Sequence, residues 1–156
     1  MRRHCPRRPI TMPAHPPHQL TYAQRERLGS LGRVPREVFA LLAASPVPLK
    51  AYDLLWQLQT QRGRQSPPSS IYRALNALIE VGLAHKIESL GAFVVCAYDL
   101  DHEAGFFMCE ACGGVQEIDV SALRASALAL VRETGFLARR LNFEIRGRCR
   151  VCQTQI

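Results

Sequence analysis

Long apolar runs are missing from this sequence. No stretch approaches about 18 consecutive apolar residues, so no helix is expected to cross a membrane. The first 20 residues contain arginine and proline but no apolar segment, which excludes a secretory signal there and favours a cytoplasmic protein. Residues 1–20 also lack periodicity, so they are expected to form a disordered basic arm, in which Met12 is a second candidate start.

Acidic charge is scarce in the first half of the chain. Residues 1–89 contain 13 Lys and Arg against 5 Asp and Glu, a net charge of +8, whereas residues 90–156 contain 7 against 8, a net charge of −1. This asymmetry suggests a nucleic-acid-binding module joined to a unit with another role. The 156 residues, 47% of them apolar, suffice for one ordinary domain or two small ones.

Cysteine is also sparse, but four of the six cysteines form two pairs with the same C-x-x-C spacing: Cys109, Cys112, Cys149 and Cys152. Thiols stay reduced in the cytosol, so such pairs indicate metal ligands rather than disulfides. Four thiolates are typical of a closed structural zinc site. A thioredoxin-type redox motif would use one pair and leave the other unexplained.

The segment Pro67–Ser89 has a strong helical pattern. Its apolar residues recur at helical spacing and predict one buried stripe, formed by Ile71, Leu75, Leu78 and Ile79. Ser70 is predicted to cap this helix and Gly82 to end it. The opposite face has short or hydrogen-bonding side chains that suit the DNA major groove: Ser69, Arg73, Asn76 and Ala77. An ordinary amphipathic surface helix is the alternative.

Three further helices are predicted before it, over Thr21–Leu31, from Pro35 onwards and over Leu49–Gly63. The inward residues are expected to be Val38, Phe39, Leu41 and Leu42 in the second and Ala51, Leu54, Leu55 and Leu58 in the third, with Trp56 off that stripe. After Gly82, strand-like runs at Ala84–Ser89 and Ala92–Tyr98 predict a two-stranded hairpin. Residues 21–98 are therefore predicted to form a winged helix-turn-helix DNA-binding domain.

The rest of the chain is predicted to form a hinge, residues 99–105, and a small domain, residues 106–156. Strands are expected at Phe106–Met108, Val115–Ile118 and Arg139–Ile145, with a helix over Val120–Thr134, capped by Asp119 and ended by Gly135. About fifty residues cannot bury a sufficient core alone, so a zinc clamp and dimerisation would supply the missing stability. The predicted fold class is α+β: an N-terminal winged helix-turn-helix DNA-binding domain plus a small C-terminal α/β dimerisation domain with a structural zinc site.

Two motifs, Ala51-Tyr52-Asp53-Leu54-Leu55 and Ser70-Ile71-Tyr72-Arg73-Ala74-Leu75, resemble the helix-turn-helix signatures of the ferric uptake regulator superfamily of bacterial metal-dependent repressors. The resemblance runs from about Tyr22 to Cys152. Gly82–Ser89 and Phe93–Cys96 are similar to the zinc uptake regulator branch of that superfamily. The His-rich run that many members have before the first C-x-x-C pair is replaced by Asp101-His102-Glu103, so the resemblance does not extend to a third metal site.

The resemblance implies a second, regulatory zinc site at the hinge, and so two zinc ions per chain. Its implied ligands are His85, Cys96, His102 and Glu117. A thiolate among them disfavours an iron(II) sensor. Taken singly, each residue has an ordinary alternative: a half-exposed wing histidine, a small buried cysteine, a loop histidine and a solvated carboxylate.

For DNA, the resemblance points to Tyr52 and Arg73 as the reading residues. Ser70, Tyr72 and Asn76 lie on the same predicted helix as Arg73 and could contact DNA beside it. Lys50 and Lys86 would neutralise phosphates. The implied function is a zinc-responsive repressor of zinc uptake genes that binds a palindromic operator in double-stranded DNA as a homodimer.

Three other functions were weighed against this one, and two of them remain open at the level of the sequence. The chain could sense another signal (iron, manganese or peroxide), or be a zinc-ribbon nucleic-acid-binding adaptor in which only the cysteine quartet binds metal. A zinc enzyme is disfavoured, because catalytic zinc keeps an open position for water and neither ligand set leaves one. The protein is therefore expected not to be an enzyme.

Overall fold

The computed structural model describes residues 20–63, 65–99 and 102–154. The predicted basic arm therefore lies outside the described residues except for Leu20, which packs against the first core. The described helices and strands fall into two groups along the chain, each built around its own three-stranded sheet. None of the described helices is long and apolar enough to cross a membrane.

The first group is the helix-rich one. Its elements are α1 (Tyr22–Ser30), α2 (Arg33–Ala44), β1 (Leu49–Lys50), α3 (Ala51–Arg62), α4 (Pro68–Glu80), β2 (Ala84–Ile87) and β3 (Ala92–Val95). The strand order is β1-β3-β2 and all pairs are antiparallel. This is a winged helix-turn-helix, with α3 and α4 followed by a β2–β3 hairpin. Thr21 caps α1, since its side chain accepts from the backbone N–H of Gln24.

The wing differs from the prediction at its edge. Leu49 and Lys50 were expected to open the third helix, but they pair with Phe93 and Ala92 as β1. The predicted two-stranded wing is thus a three-stranded sheet. Leu49 is buried in this position, so the extended backbone brings one more leucine into the core than a helical turn at the surface would.

The core of the first group lies between α2, α3 and α4. Eight of the predicted inward residues of α2 and α3 are buried: Val38, Phe39, Leu41, Leu42, Ala51, Leu54, Leu55 and Leu58. On α4, Ile71, Leu75 and Leu78 are buried as predicted, but Ile79 is 37% exposed and Ala74 is buried instead. The stripe therefore follows the i, i+3, i+4, i+7 pattern from Ile71, and Ile79 lies beyond its edge.

The predicted N-cap of α4 is wrong. The helix begins at Pro68, with Pro67 in the N-cap position, and Ser70 is already inside its first turn. Proline suits the first turn because its fixed φ is helical and its missing N–H would have no partner there. The Ser70 hydroxyl instead donates to the Pro67 carbonyl at 2.7 Å. The predicted end is confirmed, because Gly82 follows the helix at φ 68°.

The second group contains β4 (Ala104–Cys109), β5 (Val115–Asp119), α5 (Ser121–Glu133), β6 (Phe143–Gly147) and α6 (Arg150–Gln153). Strand β4 is central, antiparallel to β5 and parallel to β6. A parallel return needs a crossover, which α5 and the segment after it supply. The predicted strand–strand–helix–strand order is confirmed, and Gly135 follows α5 at φ 69°.

The main boundary differences in the second group concern the starts of β4, β6 and α5. Ala104 and Gly105, assigned to the hinge, begin β4 because they pair with Asp119 and Ile118. Strand β6 is confined to Phe143–Gly147 rather than starting at Arg139. Helix α5 has Val120 in the N-cap position, although the predicted cap, Asp119, does accept from the Ser121 backbone N–H at 2.9 Å.

Helix α5 has no buried residue within this single chain. Its apolar residues recur at helical spacing, at Leu123, Ala127, Leu130 and Val131, but Leu123 is 50% and Leu130 is 65% exposed. Phe136 and Leu137, just beyond the helix, are also exposed. The second group therefore has several large apolar side chains on and just after α5 that one chain does not cover.

Candidate metal centres and DNA-reading surface

The four paired cysteines lie together at one end of the second sheet. Cys109 is the last residue of β4, Cys112 follows in the turn, and Cys149 and Cys152 lie at the start of α6. Gly113, at φ 73°, donates its N–H to the Cys109 carbonyl and closes the turn. The four sulfur atoms lie within 4.8 Å of one another, a set that could hold one metal ion.

Backbone N–H groups point at the sulfurs of this quartet. The N–H of Cys149 donates to Cys109 Sγ at 3.3 Å, and that of Cys152 donates to Cys149 Sγ at 3.4 Å. Burial disfavours the thiolate of Cys109, but the backbone donors outweigh it and lower the pKa of this thiol to about 6. Burial raises the pKa of Cys112. A first thiolate is therefore favoured even before a cation arrives.

The four residues implied for the hinge also meet, although they come from four separate segments. His85 lies on β2, Cys96 follows β3, His102 precedes β4, and Glu117 lies on β5. One ligand atom of each lies within 4.8 Å of the other three. The cluster therefore joins the wing of the first group to the sheet of the second.

Glu117 is the centre of this hinge cluster. Its Oε2 accepts from the Ala97 backbone N–H at 2.8 Å, which fixes the carboxylate. Its Oε1 lies 2.5 Å from His102 Nε2, 3.1 Å from His85 Nε2 and 3.8 Å from Cys96 Sγ. The Glu117 side chain is only 4% exposed.

His85 supplies a test of whether this set suits a cation. Its Nε2 is buried and has no hydrogen-bond partner among the described residues; Glu117 Oε1 is within ion-pair distance but is not aligned for a hydrogen bond. A buried polar atom without a partner is costly. Two imidazoles, one thiol and one carboxylate converging with such an orphaned nitrogen form a donor set that fits zinc.

The acid–base state of the cluster agrees with that fit. Burial, together with the negative charge of Glu117, raises the pKa of the Cys96 thiol to about 12. Burial alone would also raise the pKa of Glu117, but the adjacent His85 and the Ala97 N–H hold it below its usual range. Without a cation the thiol keeps its proton, whereas a coordinating metal deprotonates a thiol outright.

Three supporting residues, Tyr98, Gln24 and Arg27, were not identified from the sequence. The Tyr98 ring covers His102, with ring centroids 4.6 Å apart, and the buried Gln24 of α1 donates to the Tyr98 carbonyl at 3.1 Å. Arg27 of α1 binds the next residue, Asp99, through an ion pair of 3.1 Å. Nothing in the local pattern of α1 could have revealed this, because the partners are more than 70 residues away in sequence.

The residues expected to read DNA lie on α3, α4 and the wing. Tyr52 is 69% exposed and Tyr72 is 47% exposed, and Arg73 and Asn76 are exposed on the outer face of α4.

Ser70 is half-buried and turned towards its own backbone. Lys50 is exposed before α3, while Lys86 is engaged by Glu88 at 2.5 Å. Tyr52, Arg73 and Asn76 are therefore the most available of the set.

The fold and the clusters together define a winged-helix protein with two candidate metal centres. Residues 35–146 match the ferric uptake regulator family. The zinc uptake regulation protein of Escherichia coli (strain K12) is 34% identical over 118 residues, which are 74% of this chain and 68% of that protein. The chain therefore belongs to the ferric uptake regulator family.

Solved structures show the same likeness. A zinc uptake regulator complexed with zinc and DNA has a TM-score of 0.73 at 28% identity and covers 86% of this chain and 97% of its own. The holo form of XcZur has a TM-score of 0.69 at 30% identity and covers 80% of this chain and 86% of its own. Both likenesses extend over the two groups of elements, so the α+β fold class and the suspected family are confirmed.

Proposed function

We propose that this chain is a zinc-responsive DNA-binding transcriptional regulator, a repressor of zinc uptake genes that acts as a homodimer. The single observation that carries the proposal is the hinge cluster, in which His85, Cys96, His102 and Glu117 converge from both groups of elements. Similar proteins are a zinc uptake regulation protein and a zinc uptake regulator complexed with zinc and DNA, which supports the same function here. Membership of a regulator family likewise favours regulation over catalysis.

The hinge residues would hold one zinc ion, whose ligands would come from both the wing and the second sheet. His85 and Cys96 belong to the wing side, and His102 and Glu117 to the sheet side. Tyr98 and Glu117 restrict the two imidazoles, so the chain pre-orients the donors. A conformation that is held more firmly is more populated, and DNA affinity rises with the population of the competent conformation.

The cysteine quartet would hold a second zinc ion with a structural role. It joins the end of β4 to α6 and thereby fastens the last segment of a small unit. Four thiolates leave no open position for substrate water. The two sites share no ligand, which makes two ions per chain and allows each site to be removed separately.

DNA reading is assigned to the outer face of α4 with Tyr52 beside it. Arg73 can donate two hydrogen bonds to guanine O6 and N7, which contributes about 1–3 kcal/mol of discrimination. Tyr52 can place its ring on a thymine methyl group or its hydroxyl on a phosphate. Tyr72, Asn76 and Ser70 flank them, and Lys50 and Lys86 lie at the phosphate-facing edges.

The exposed apolar region of α5 is assigned to the homodimer contact. Leu123 and Leu130 lie on one helical stripe, seven residues apart, and both are at least half exposed in one chain. A two-fold dimer would bury them and present two copies of α4 to a palindromic operator in double-stranded DNA. The domains would then follow the predicted bounds, residues 21–98 for DNA, 99–105 as hinge and 106–156 for dimerisation, except that Ala104 and Gly105 move from the hinge to the dimerisation domain because they begin β4.

The proposal is tested by counting zinc and measuring DNA binding in a Cys96→Ser variant. We expect two zinc ions per wild-type chain and one in the variant, which should fold and dimerise because the quartet is intact. Binding to a duplex enriched from a randomised pool by the zinc-loaded wild type should become weak and independent of zinc. Ala97→Ser is the matched control: it introduces the same side chain one residue away, at an exposed position, and removes no ligand.

Other outcomes would favour other functions. Tight, zinc-dependent DNA binding by Cys96→Ser would show that the hinge cluster is not the sensor. One zinc ion per wild-type chain, all of it in the quartet, would favour a zinc-ribbon adaptor. A hinge site that binds iron or manganese in preference to zinc would indicate a family member that senses a different signal.

A further inference from the structure

The wing contacts the second sheet at a place separate from the hinge cluster. The turn at the tip of the β2–β3 hairpin, formed by residues 88–91 and here called the wing turn, is closed by a hydrogen bond from the Gly91 N–H to the Glu88 carbonyl at 3.2 Å. Gly91 has φ 58°, which glycine adopts without strain. The backbone N–H groups of Glu88 and Ser89 point out of this turn and need acceptors from elsewhere.

Glu144 of β6 supplies these acceptors. Its Oε1 accepts from the Glu88 N–H at 2.8 Å, and its Oε2 accepts from the Ser89 N–H at 3.2 Å. Both are hydrogen bonds to an ionised acceptor, which are stronger than neutral ones. More than 50 residues separate the partners in sequence, so the contact is entirely tertiary.

The strand geometry explains why Glu144 is in reach. Glu144 pairs with Phe106 of β4, and alternate residues of a strand point to the same face. Arg146, two residues on, accordingly also faces the wing turn and donates to the Ser89 carbonyl at 3.5 Å. Beneath them, Ile87 of the wing is fully buried against Phe106 and Met108. The hydrogen bonds from Glu144 and Arg146 to the wing turn, here called the clamp, therefore lie over an apolar contact between the wing and the second sheet.

The exposed ion pairs around this clamp contribute little. Arg140 reaches Glu88 at 3.1 Å, but its side chain is 72% exposed. Exposed pairs of this kind are typically worth less than about 1 kcal/mol. Glu144 differs from these ion pairs, because it accepts hydrogen bonds from backbone N–H groups of the wing turn. This turn connects the two strands of the hairpin, and His85 lies on the first of them.

We propose that Glu144 is a positioning residue that clamps the wing turn to β6 and so helps to fix the orientation of α4, independently of the hinge cluster. This inference rests on the proposed function for its consequence in DNA binding. According to this proposal, the wing turn makes a contact within the chain. The reading of DNA bases is then left to α3 and α4. The clamp and the hinge ligands stabilise the same arrangement of wing and sheet, and loss of the clamp should weaken DNA binding even when every metal ligand is intact.

The test uses the full-length dimer with Glu144→Ala and Glu144→Gln. Amide hydrogen exchange, measured residue by residue by NMR without DNA, should be about tenfold or more faster at Glu88 and Ser89 in Glu144→Ala, because that is the effect of losing a hydrogen bond to a charged group. Glu144→Gln keeps one acceptor oxygen and should be intermediate. Glu133→Ala removes an exposed carboxylate on α5 and is the control, with exchange in the wing turn unchanged.

Two further measurements separate a clamp from a residue that merely stabilises the second sheet. Zinc content and dimer mass should stay at wild-type values in Glu144→Ala, while affinity for the enriched duplex falls by several-fold to tenfold. In a Cys96→Ser background the wing-turn amides should remain protected, and adding Glu144→Ala should remove that protection.

The inference is wrong if Glu144→Ala leaves exchange at Glu88 and Ser89 unchanged, or if it removes the protection and still binds the duplex as tightly as wild type. It is also wrong if Cys96→Ser alone removes the protection, since the clamp would then depend on the hinge cluster. Failure of the wild type to enrich any duplex would overturn the proposed function and, with it, the role of the clamp in DNA binding. The exchange measurements would still decide whether the clamp exists.

Discussion

Of the described glycines, Gly105 in the second sheet has the least room for a side chain. A Cβ placed on it would lie 2.5 Å from Val120 Cγ1 and 3.3 Å from both the Cβ and the carbonyl oxygen of Phe143. Ordinary carbon–carbon contacts are about 3.5–4.0 Å. Gly105→Ala therefore forces a movement of roughly 1 Å at a strand that is paired on both sides.

The size of the effect follows from two opposing terms. Overpacking of a fitted core typically costs about 1–3 kcal/mol. Replacing a strand glycine by alanine gains about 0.5–1 kcal/mol of conformational entropy, and Gly105 has no left-handed φ that would oppose it. We expect a net loss of about 1–2 kcal/mol in the free energy of unfolding. Because His102 lies three residues before Gly105, hinge zinc affinity should also fall.

Urea unfolding at fixed protein and zinc concentrations measures the loss. Gly29→Ala is the control, because Gly29 lies in α1 with nothing within 4 Å of an added Cβ and should be stabilised by about 0.5–1 kcal/mol. Adding Val120→Ala removes the nearest atom, so the double variant should lose less than the sum of the single losses, by about 0.5 kcal/mol or more. A Gly105→Ala variant as stable as wild type, or strictly additive losses, would refute the steric argument.

Three other predictions concern the metal quartet, the DNA and the dimer. Cys152→Ser should abolish stable folding of the second unit, because metal-binding energy there is folding energy; a variant that keeps its dimer and melting temperature in a chelator would contradict this. Arg73→Ala should weaken binding to the enriched duplex by about 1–3 kcal/mol at unchanged zinc content, whereas equal losses on random DNA would make it a phosphate contact. Leu130→Asp should raise the dimer dissociation constant at least about tenfold in sedimentation experiments, because it places a charge in an apolar contact; an unchanged constant would place the dimer contact elsewhere.

Local patterns predicted most of the helices and strands. The helical spacing of Ile71, Leu75 and Leu78 predicted the buried face of α4, and Gly82 predicted where it ends. These features depend on neighbours three or four residues away, which the sequence displays directly. Each C-x-x-C pair is local in the same way, whereas the meeting of the two pairs was predicted from the zinc chemistry that four thiolates favour.

The boundaries that were wrong depended on partners outside the local pattern. Leu49 joined a strand because Phe93, more than 40 residues later, offered a free sheet edge. The predicted cap at Ser70 was a local error instead, because Pro67 and Pro68, just before it, could already begin the helix. Ile79 is left 37% exposed because α4 turns a different set of residues, Ile71, Ala74, Leu75 and Leu78, towards the core.

What the sequence determined by itself was the set of chemical groups and the local elements that carry them: a basic first half, a helix-turn-helix, and four cysteines in two pairs. Only the tertiary structure brought His85, Cys96, His102 and Glu117 within 4.8 Å of one another, and only it placed Glu144 on the wing turn. The physical reason is that spacing along a helix or strand fixes neighbours within a few residues, whereas contacts between distant segments exist only once both cores have formed and set the angle between wing and sheet.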